Sequence, residues 1–467
     1  MGANSGAGEG HENDKKRLIY AMNNKSNGEF RFMMKNGART TPICRRFPQL
    51  IFAIGFLYAA ILSAAAQPDA FELCSPRNGD HFEVARPLLF WQSSLGASGY
   101  EVFIDGARVA GVPASPAPVM SFAPPSPLAT GVHHWFVKAI SGFGNDTMSS
   151  NFEFTVESST NWPSWAIGPF VRYGRNPILR PTGANWEGWN VYNPGVIFDE
   201  GWFRMLYRGQ EKKFRGQHEI TLSRVGYAQS LDGVTFLRNP VPVIDATEPF
   251  EQTYGCEDPR LVKYNGVYYT FYTGSSNDQS GQICLCEAVS TNCINWTKLG
   301  VIEAGTKNGA IVRDPAGAPV KINGRFVMYT GDSKLGICYS DDLTNWTPVT
   351  WIDPRLPAGW VTPYEPCVAI TDYPGSHPGD IVLFIAGTLN GAGKWYYAIS
   401  ELLFSKAHLT EKMAQLDDCI LKPRESYESG TFQNCVWMNS IVLHDGQWWM
   451  HYGAGDRYIA LATAPLQ

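Results

Sequence analysis

The sequence predicts an all-β protein: a small β-sandwich over residues 67–158, then a five-bladed β-propeller over residues 160–467. Short alternating apolar runs between turn-rich stretches predict the first part. A motif recurring at long, near-regular spacing predicts the second. Composition agrees, since aromatic and glycine residues are plentiful and charged ones sparse. A chain of 467 residues has room for two or three domains with ample core.

Residues 1–66 stand apart from both. An apolar run from Leu50 to Ala66 follows Lys35, Arg39, Arg45 and Arg46 and ends in small residues before Gln67. Basic flank, apolar centre and small-residue exit are the pattern of a secretory signal peptide, which predicts a secreted, periplasmic or cell-surface protein. Left uncleaved, the run would be a membrane anchor near the lower length limit for spanning. Residues 1–32 are polar and patternless, a disordered extension, and Met33 or Met34 is the expected start of translation.

Residues 1–66 hold nine of the 38 basic and four of the 43 acidic residues, so the remainder carries a net charge near −10. That argues against nucleic acid and anionic membrane surfaces as partners. Nine of the ten cysteines lie beyond the leader, an odd number that leaves at least one free thiol. Cys284, Cys286 and Cys293 fit no zinc spacing and are expected as small buried residues. No metal or other cofactor is expected.

In the sandwich region the runs are 88–91, 100–104, 134–139 and 152–156, with turns at Asp105-Gly106 and 113–127. Trp91, Tyr100-x-Val102-x-Ile104 and Trp135-Phe136-Val137-x-Ala139 resemble a fibronectin type III or immunoglobulin-like module. No catalytic constellation occurs here, which leaves a spacer or docking role.

In the propeller region one unit reads Val225-Gly226-Tyr227-Ala228-Gln229-Ser230-Leu231-Asp232-Gly233. Others are Cys286-Glu287-Ala288-Val289-Ser290 leading to Asn295-Trp296, and Gly336-Ile337-Cys338-Tyr339-Ser340 leading to Asn345-Trp346. Weaker copies are Tyr397-Ala398-Ile399-Ser400 and Leu461-Ala462-Thr463-Ala464. Aromatic or apolar strands precede them at 202–207, 268–272, 326–329, 381–385 and 448–452. Five recurrences give five blades. Asn295-Trp296-Thr297 and Asn345-Trp346-Thr347 match glycosylation sequons, but their repeat position points to tryptophans packed between blades.

A propeller's axial pocket gathers polar residues from its inner strands. The candidates are Asn193, Arg208, Glu257, Asp258, Arg260, Asp332, Glu365, Glu428, Asn434 and Asp456. Carboxylates, amides and arginines beside aromatic residues suit a carbohydrate. In Cys256-Glu257-Asp258-Pro259-Arg260, the proline is expected to press Asp258 into an extended conformation, and Arg260 offers a planar fork to a carboxylate or a sugar hydroxyl. No phosphate-cradling loop, HExxH or Gly-x-Ser-x-Gly occurs, which disfavours serine and metal hydrolases.

Residues 172–464 resemble glycoside hydrolase family 130, the β-mannoside phosphorylases and mannosidases. The resemblance rests on Arg175-Asn176-Pro177-Ile178-Leu179, Tyr192-Asn193-Pro194-Gly195, Leu206-Tyr207-Arg208, the 225–233 unit, Gly255–Arg260 and Tyr452-Gly453-Ala454-Gly455-Asp456. It implies that Asp258 is the general acid of an inverting reaction at a β-mannosidic bond, its proton passing through a sugar hydroxyl. It further implies that Asn193, Arg208, Arg260 and Asp456 hold the mannose, with Glu428 and Asn434 as looser matches. The implied partner is an oligosaccharide or glycan containing β-linked mannose.

Phosphorylases of that family carry a Lys-Asp pair and then His-Arg-Pro, basic groups that help bind phosphate. Here Lys307 is followed by Asn308, and the second position reads Thr330-Gly331-Asp332. A carboxylate in place of cations repels phosphate, so hydrolysis is expected. An inverting hydrolase needs a second carboxylate to activate water, and Glu365 and Asp332 are the two candidates. Two alternatives stay open: a phosphorylase whose anion site is rebuilt from Lys307, Arg313 and Arg325, and a non-catalytic glycan-binding propeller. Loops at 209–222 and 372–380 are expected to shape the leaving-side subsite.

Overall fold

A computed structural model describes residues 67–158, 162–183, 185–215, 218–276, 283–355, 360–377, 379–391, 394–430 and 434–466. The leader, the apolar run at 50–66 and the proposed translation starts lie outside these residues. Regular structure among the described residues is all β apart from three short 3-10 turns.

Two sheets form the N-terminal part. One has three strands, Leu73–Ser75, Leu89–Gln92 and Val119–Phe122. The other has six, built around Gly131–Ile140 with Gly99–Ile104 and Phe152–Val156 on either side. Alternation places Leu89 and Trp91 of the first sheet, and Tyr100, Val102, Trp135 and Val137 of the second, in one shared core. The outer flank of the small sheet is apolar as well. Phe90 meets Tyr173 edge-on at 5.0 Å and Trp449 at 5.5 Å. Arg175 bonds Glu72, and the backbone N–H of Val119 donates to Asp232 at 3.0 Å. These contacts join the N-terminal pair of sheets to the C-terminal part.

From residue 190 onward the chain runs as successive antiparallel groups. Asn190–Asp199, Trp202–Arg215 and His218–Ser230 form the first, and Gly255–Tyr264, Val267–Ser275, Ile283–Ser290 and Thr297–Ala304 the second. Ala310–Arg313, Arg325–Gly331, Leu335–Ser340 and Thr350–Ile352 follow, then Trp360–Thr371, Asp380–Gly391, Lys394–Ser405 and His408–Gln415. Asn434–Met438, Gln447–Ala454 and Tyr458–Pro465 come last, with Val171–Arg172 added antiparallel to the final strand. Neighbouring groups touch through short parallel contacts: Ser223 opposite Gly255, Val312 opposite Ala369, and Tyr396 opposite Asn434.

The sequence repeat has a structural meaning. Ser230, Ser290, Ser340 and Ala464 lie directly opposite Phe203, Tyr268, Phe326 and Trp448, while Ser400 faces Ile385. A small residue there leaves room for a large one on the neighbouring strand. In three groups the serine also builds the turn that follows. The Ser230 hydroxyl accepts from the N–H groups of Asp232 and Gly233, as Ser290 does from Asn292 and Cys293, and Ser340 from Asp342 and Leu343. Trp346 packs edge-on against Phe271 at 5.8 Å, joining the third group to the second. Cys284, Cys286 and Cys293 are buried free thiols, as expected.

Of residues 209–222, expected as a loop, 209–215 and 218–222 instead belong to the paired strands Trp202–Arg215 and His218–Ser230, and 216–217 lie outside the described residues. Alternation along 209–215 is weak because both faces of the extension carry polar residues. It is held by cross-strand pairs such as Arg224 with Glu211.

Candidate active site

The leading strand of each group, or the turn just before it, delivers polar or aromatic side chains to one cavity of about 350 Å³. Asn193 comes from the first group, Asp258 from the second, Lys307 from the approach to the third, Glu365 from the fourth, and Cys435 and Trp437 from the fifth. Arg208, Gln210, Thr221, Tyr192, Tyr397 and Asp456 complete the lining.

Irregular backbone delivers these groups. The register of the first strand slips between Tyr192 and Gly195, and that of the second between Glu257 and Arg260. Each slip is a β-bulge that lifts a residue out of the ladder and re-aims its side chain. The two bulges adjoin: a Cβ on Gly195 would lie 2.5 Å from the Pro259 carbonyl oxygen. The expectation of an extended Asp258 is overturned, because its φ is +51°. Proline restricts the residue before it, but the bulge demands a left-handed turn, and aspartate is among the few residues that tolerate one.

The Asp258 carboxylate is buried. Its Oδ1 accepts from Asn193 Nδ2 at 2.8 Å and from Arg208 Nη1 at 3.2 Å. Arg208 also donates to Glu257 at 2.5 Å and to Ser223 at 2.9 Å, and lies 4.8 Å over the Tyr192 ring. Across the cavity, Lys307 Nζ stands 3.1 Å from Asp332 and 3.1 Å from Glu365. Glu365 is 1% exposed, and its Oε2 accepts from Asn308 Nδ2 at 2.8 Å. Two cations are therefore each bridged by two carboxylates, a charge-paired lining that can hold a polyol through many hydrogen bonds.

Geometry of this kind, a deep polar cavity with tyrosine and tryptophan faces and two separate carboxylate clusters, is that of a carbohydrate-cleaving site. Residues 171–467 match the glycoside hydrolase family 130 profile, described as beta-1,4-mannooligosaccharide phosphorylase. The chain belongs to glycoside hydrolase family 130. It is 30% identical over 309 residues to a 1,2-beta-oligomannan phosphorylase of Thermoanaerobacter sp. (strain X514), covering 63% of this chain and 97% of the relative. A Beta-1,2-mannobiose phosphorylase of the same organism is 28% identical over 302 residues, covering 63% and 96%. Among solved structures, one matches with TM-score 0.58 and 29% identity over 65% of this chain and 95% of the other. It is described by the statement that the family "of mannoside phosphorylases contains glycoside hydrolases that target beta-1,2 mannosidic linkages in Candida mannan".

Within this family 130 chain the buried carboxylates are shifted in opposite directions. Burial pushes Asp258 up, but Arg208, Lys307 and the Asn193 hydrogen bond outweigh it and hold the carboxyl below its usual range. Glu257 goes the other way, raised by burial more than Arg208 lowers it. Glu365 is pushed up to about 7 by burial, with Lys307 opposing and Asp332 adding to the rise. Asp456 is likewise raised by burial.

Several expected site residues sit elsewhere. Arg260 is buried and off the cavity wall, donating to the carbonyl oxygens of Asp258 at 3.0 Å, Pro366 at 3.1 Å and Cys367 at 3.4 Å. It ties the Asp258 bulge to the segment carrying Glu365. Asp332 touches the cavity through Lys307 and is itself half-buried. Asn434 pairs with Tyr396 and is not in the lining. Glu428 is fully buried, both its oxygens taken by Arg172, Tyr452 and the N–H groups of Arg424 and Glu425. It caps a short turn and fastens Arg172 to the last group, so a ligand has no access to it. Arg313 and Arg325 do not line the cavity either; Arg325 pairs with Asp341 at the surface.

The lining also includes Tyr192, Gln210, Thr221, Tyr397, Cys435 and Trp437, none of which the sequence reading singled out as a site residue. Gln210 donates to Thr221 at 3.4 Å diagonally across the extended hairpin, a relationship visible only once that hairpin is known to be strand.

Proposed function

We propose that this family 130 enzyme hydrolyses β-mannosidic bonds in an oligosaccharide with inversion, Asp258 donating the proton and Glu365 activating water. The observation that carries the reading is the position of Lys307, held between Glu365 and Asp332 at 3.1 Å each. A phosphate approaching Lys307 would meet two carboxylates in a buried setting, where like charges repel strongly. Water meets no such barrier, and Glu365, titrating near 7, is poised to take its proton. Asn193, Arg208 and Asp456 would hold the mannose, with Tyr192, Tyr397 and Trp437 offering stacking faces. Arg260 acts by positioning Asp258.

Phosphorolysis is the second reading. The printed names of both curated relatives and of the family profile favour it, and Lys307 would then be the cation that receives phosphate. Products from a panel of β-1,2- and β-1,4-mannosides, with and without inorganic phosphate, separate the two. Free α-mannose independent of phosphate supports hydrolysis. Mannose 1-phosphate formed only with phosphate sinks it. Tight binding with no turnover in either condition would support a non-catalytic glycan-binding role.

The same reading takes the five antiparallel groups as blades of a propeller. Convergence of their leading strands on one cavity supports it, as does the pairing of Val171–Arg172 with the final strand. It takes residues 67–158 as a fibronectin type III or immunoglobulin-like module, supported by two sheets that share one core. Export rests on the sequence of residues 50–66 and predicts a mature N-terminus at Gln67.

A further inference from the structure

Two arginines outside the lining of the sugar cavity, Arg260 and Arg313, are each 3% exposed. Both line a second, much smaller cavity of about 10 Å³, with Asn439 as a further polar neighbour and walls that include Leu261, Ile311 and Val368. Arg260 spends its donors on three backbone carbonyl oxygens, and Arg313 donates Nη2 to the carbonyl of Ile441 at 2.8 Å. All these partners are neutral. Among the described residues no carboxylate forms an ion pair with either arginine. Asp258 and Glu365 act on Arg260 from a distance, and for Arg313 only the neighbouring Asp314 offsets burial. Burial brings Arg313 down to about 10, so it is still charged at neutral pH. A buried charge with no counter-charge in contact is costly, and neutral carbonyl oxygens compensate only part of it.

We propose that this small cavity binds a single halide-sized anion, of the chloride class, between Arg260 and Arg313. Its volume admits about one solvent-sized particle. That excludes phosphate and sulfate and separates this site from any phosphate site in the sugar cavity. A water molecule would fit but would bring no negative charge to either arginine. The site is the same whether the enzyme hydrolyses or phosphorolyses its substrate.

The test compares thermal melting of the full chain in sodium chloride, sodium bromide and sodium gluconate at equal ionic strength, gluconate being too large to enter. The expected result is a saturable rise of a few degrees in chloride and bromide over gluconate, lost in Arg313→Met. Equal melting in the three salts, or an undiminished halide effect in Arg313→Met, overturns the proposal. If Arg313→Met does not fold, a bromide-soaked crystal of the wild-type protein decides. An anomalous peak between the two guanidiniums supports the site, and its absence removes it.

Discussion

Asn193 donates its side-chain amide to Asp258 across 2.8 Å, and the two residues share one backbone peculiarity: φ is +50° at the first and +51° at the second. A proline follows each. Asn308, which holds Glu365, and Asp456 are also left-handed, at +65° and +51°. Asparagine and aspartate accept this conformation at lower cost than other non-glycine residues. Strain of this kind persists where surrounding contacts enforce it. Here Asn439 holds the Asn193 carbonyl at 2.8 Å and Arg260 holds that of Asp258 at 3.0 Å. The polar groups of the site are thus fixed by backbone geometry before any ligand arrives.

Asp258→Asn should therefore fold normally, since asparagine tolerates the same φ and has nearly the same shape. Its turnover of β-mannosides should fall by about 10²–10⁴-fold, the usual contribution of a positioned proton donor. Melting temperature and turnover are measured together. An active variant within tenfold of wild type would remove Asp258 as the donor.

Hydrolysis needs Asp258 protonated and Glu365 ionised. Asp258 is held below its usual range and Glu365 is raised to about 7, so the one proton they share is lost, and kcat/KM should decline, above about pH 7. Lys307 lowers that value and Asp332 raises it. Asp332→Asn should accordingly move this alkaline limb to lower pH, and Lys307→Met should move it to higher pH. Alkaline limbs that coincide in all three proteins would exclude Glu365 as the base.

The repeat was legible in the sequence because each copy encodes the same local event, a serine-built turn and a small residue opposite a large one. The Asp258 motif was legible because its residues are contiguous. Glu428 was misread for the opposite reason. Its neighbourhood looks like a site, but its partner Arg172 lies 256 positions away in the chain. The extended conformation expected of Asp258 failed because a bulge is a property of two paired strands, and proline reports only on its own. Lys307 bridging two carboxylates, Asp332 from its own group and Glu365 from the next, likewise needs three dimensions.

Gly453 should tolerate no side chain. A Cβ there would lie 2.2 Å from Asn193 Oδ1 and 2.9 Å from the Asn193 backbone nitrogen. The bulge cannot yield without releasing Asp258, so Gly453→Ala should cost about 1–3 kcal/mol, typical of overpacking. It should also lower kcat, since the donor is displaced. Denaturant melts and turnover check both, and an alanine variant with wild-type kcat would mean that Asn193 does not hold the acid in place.

Glu287 supplies a stability test remote from the site. Its carboxyl is buried, Oε2 accepts from Trp346 Nε1 at 3.3 Å, and Oε1 has no hydrogen-bond partner among the described residues. Burial raises it from 4.5 to about 8, the Trp346 hydrogen bond opposing. The folded protein therefore keeps this proton at pH values where the unfolded chain has lost it. The resulting stability is fully present below pH 4.5 and is lost as pH rises toward 8, at up to about 1.4 kcal/mol per pH unit. Glu287→Gln keeps an acceptor for Trp346 and cannot ionise. It should melt at nearly the same temperature as wild type near pH 5 and clearly above it at pH 8. A difference between the two proteins that does not change with pH would mean that Glu287 is already ionised in the folded state.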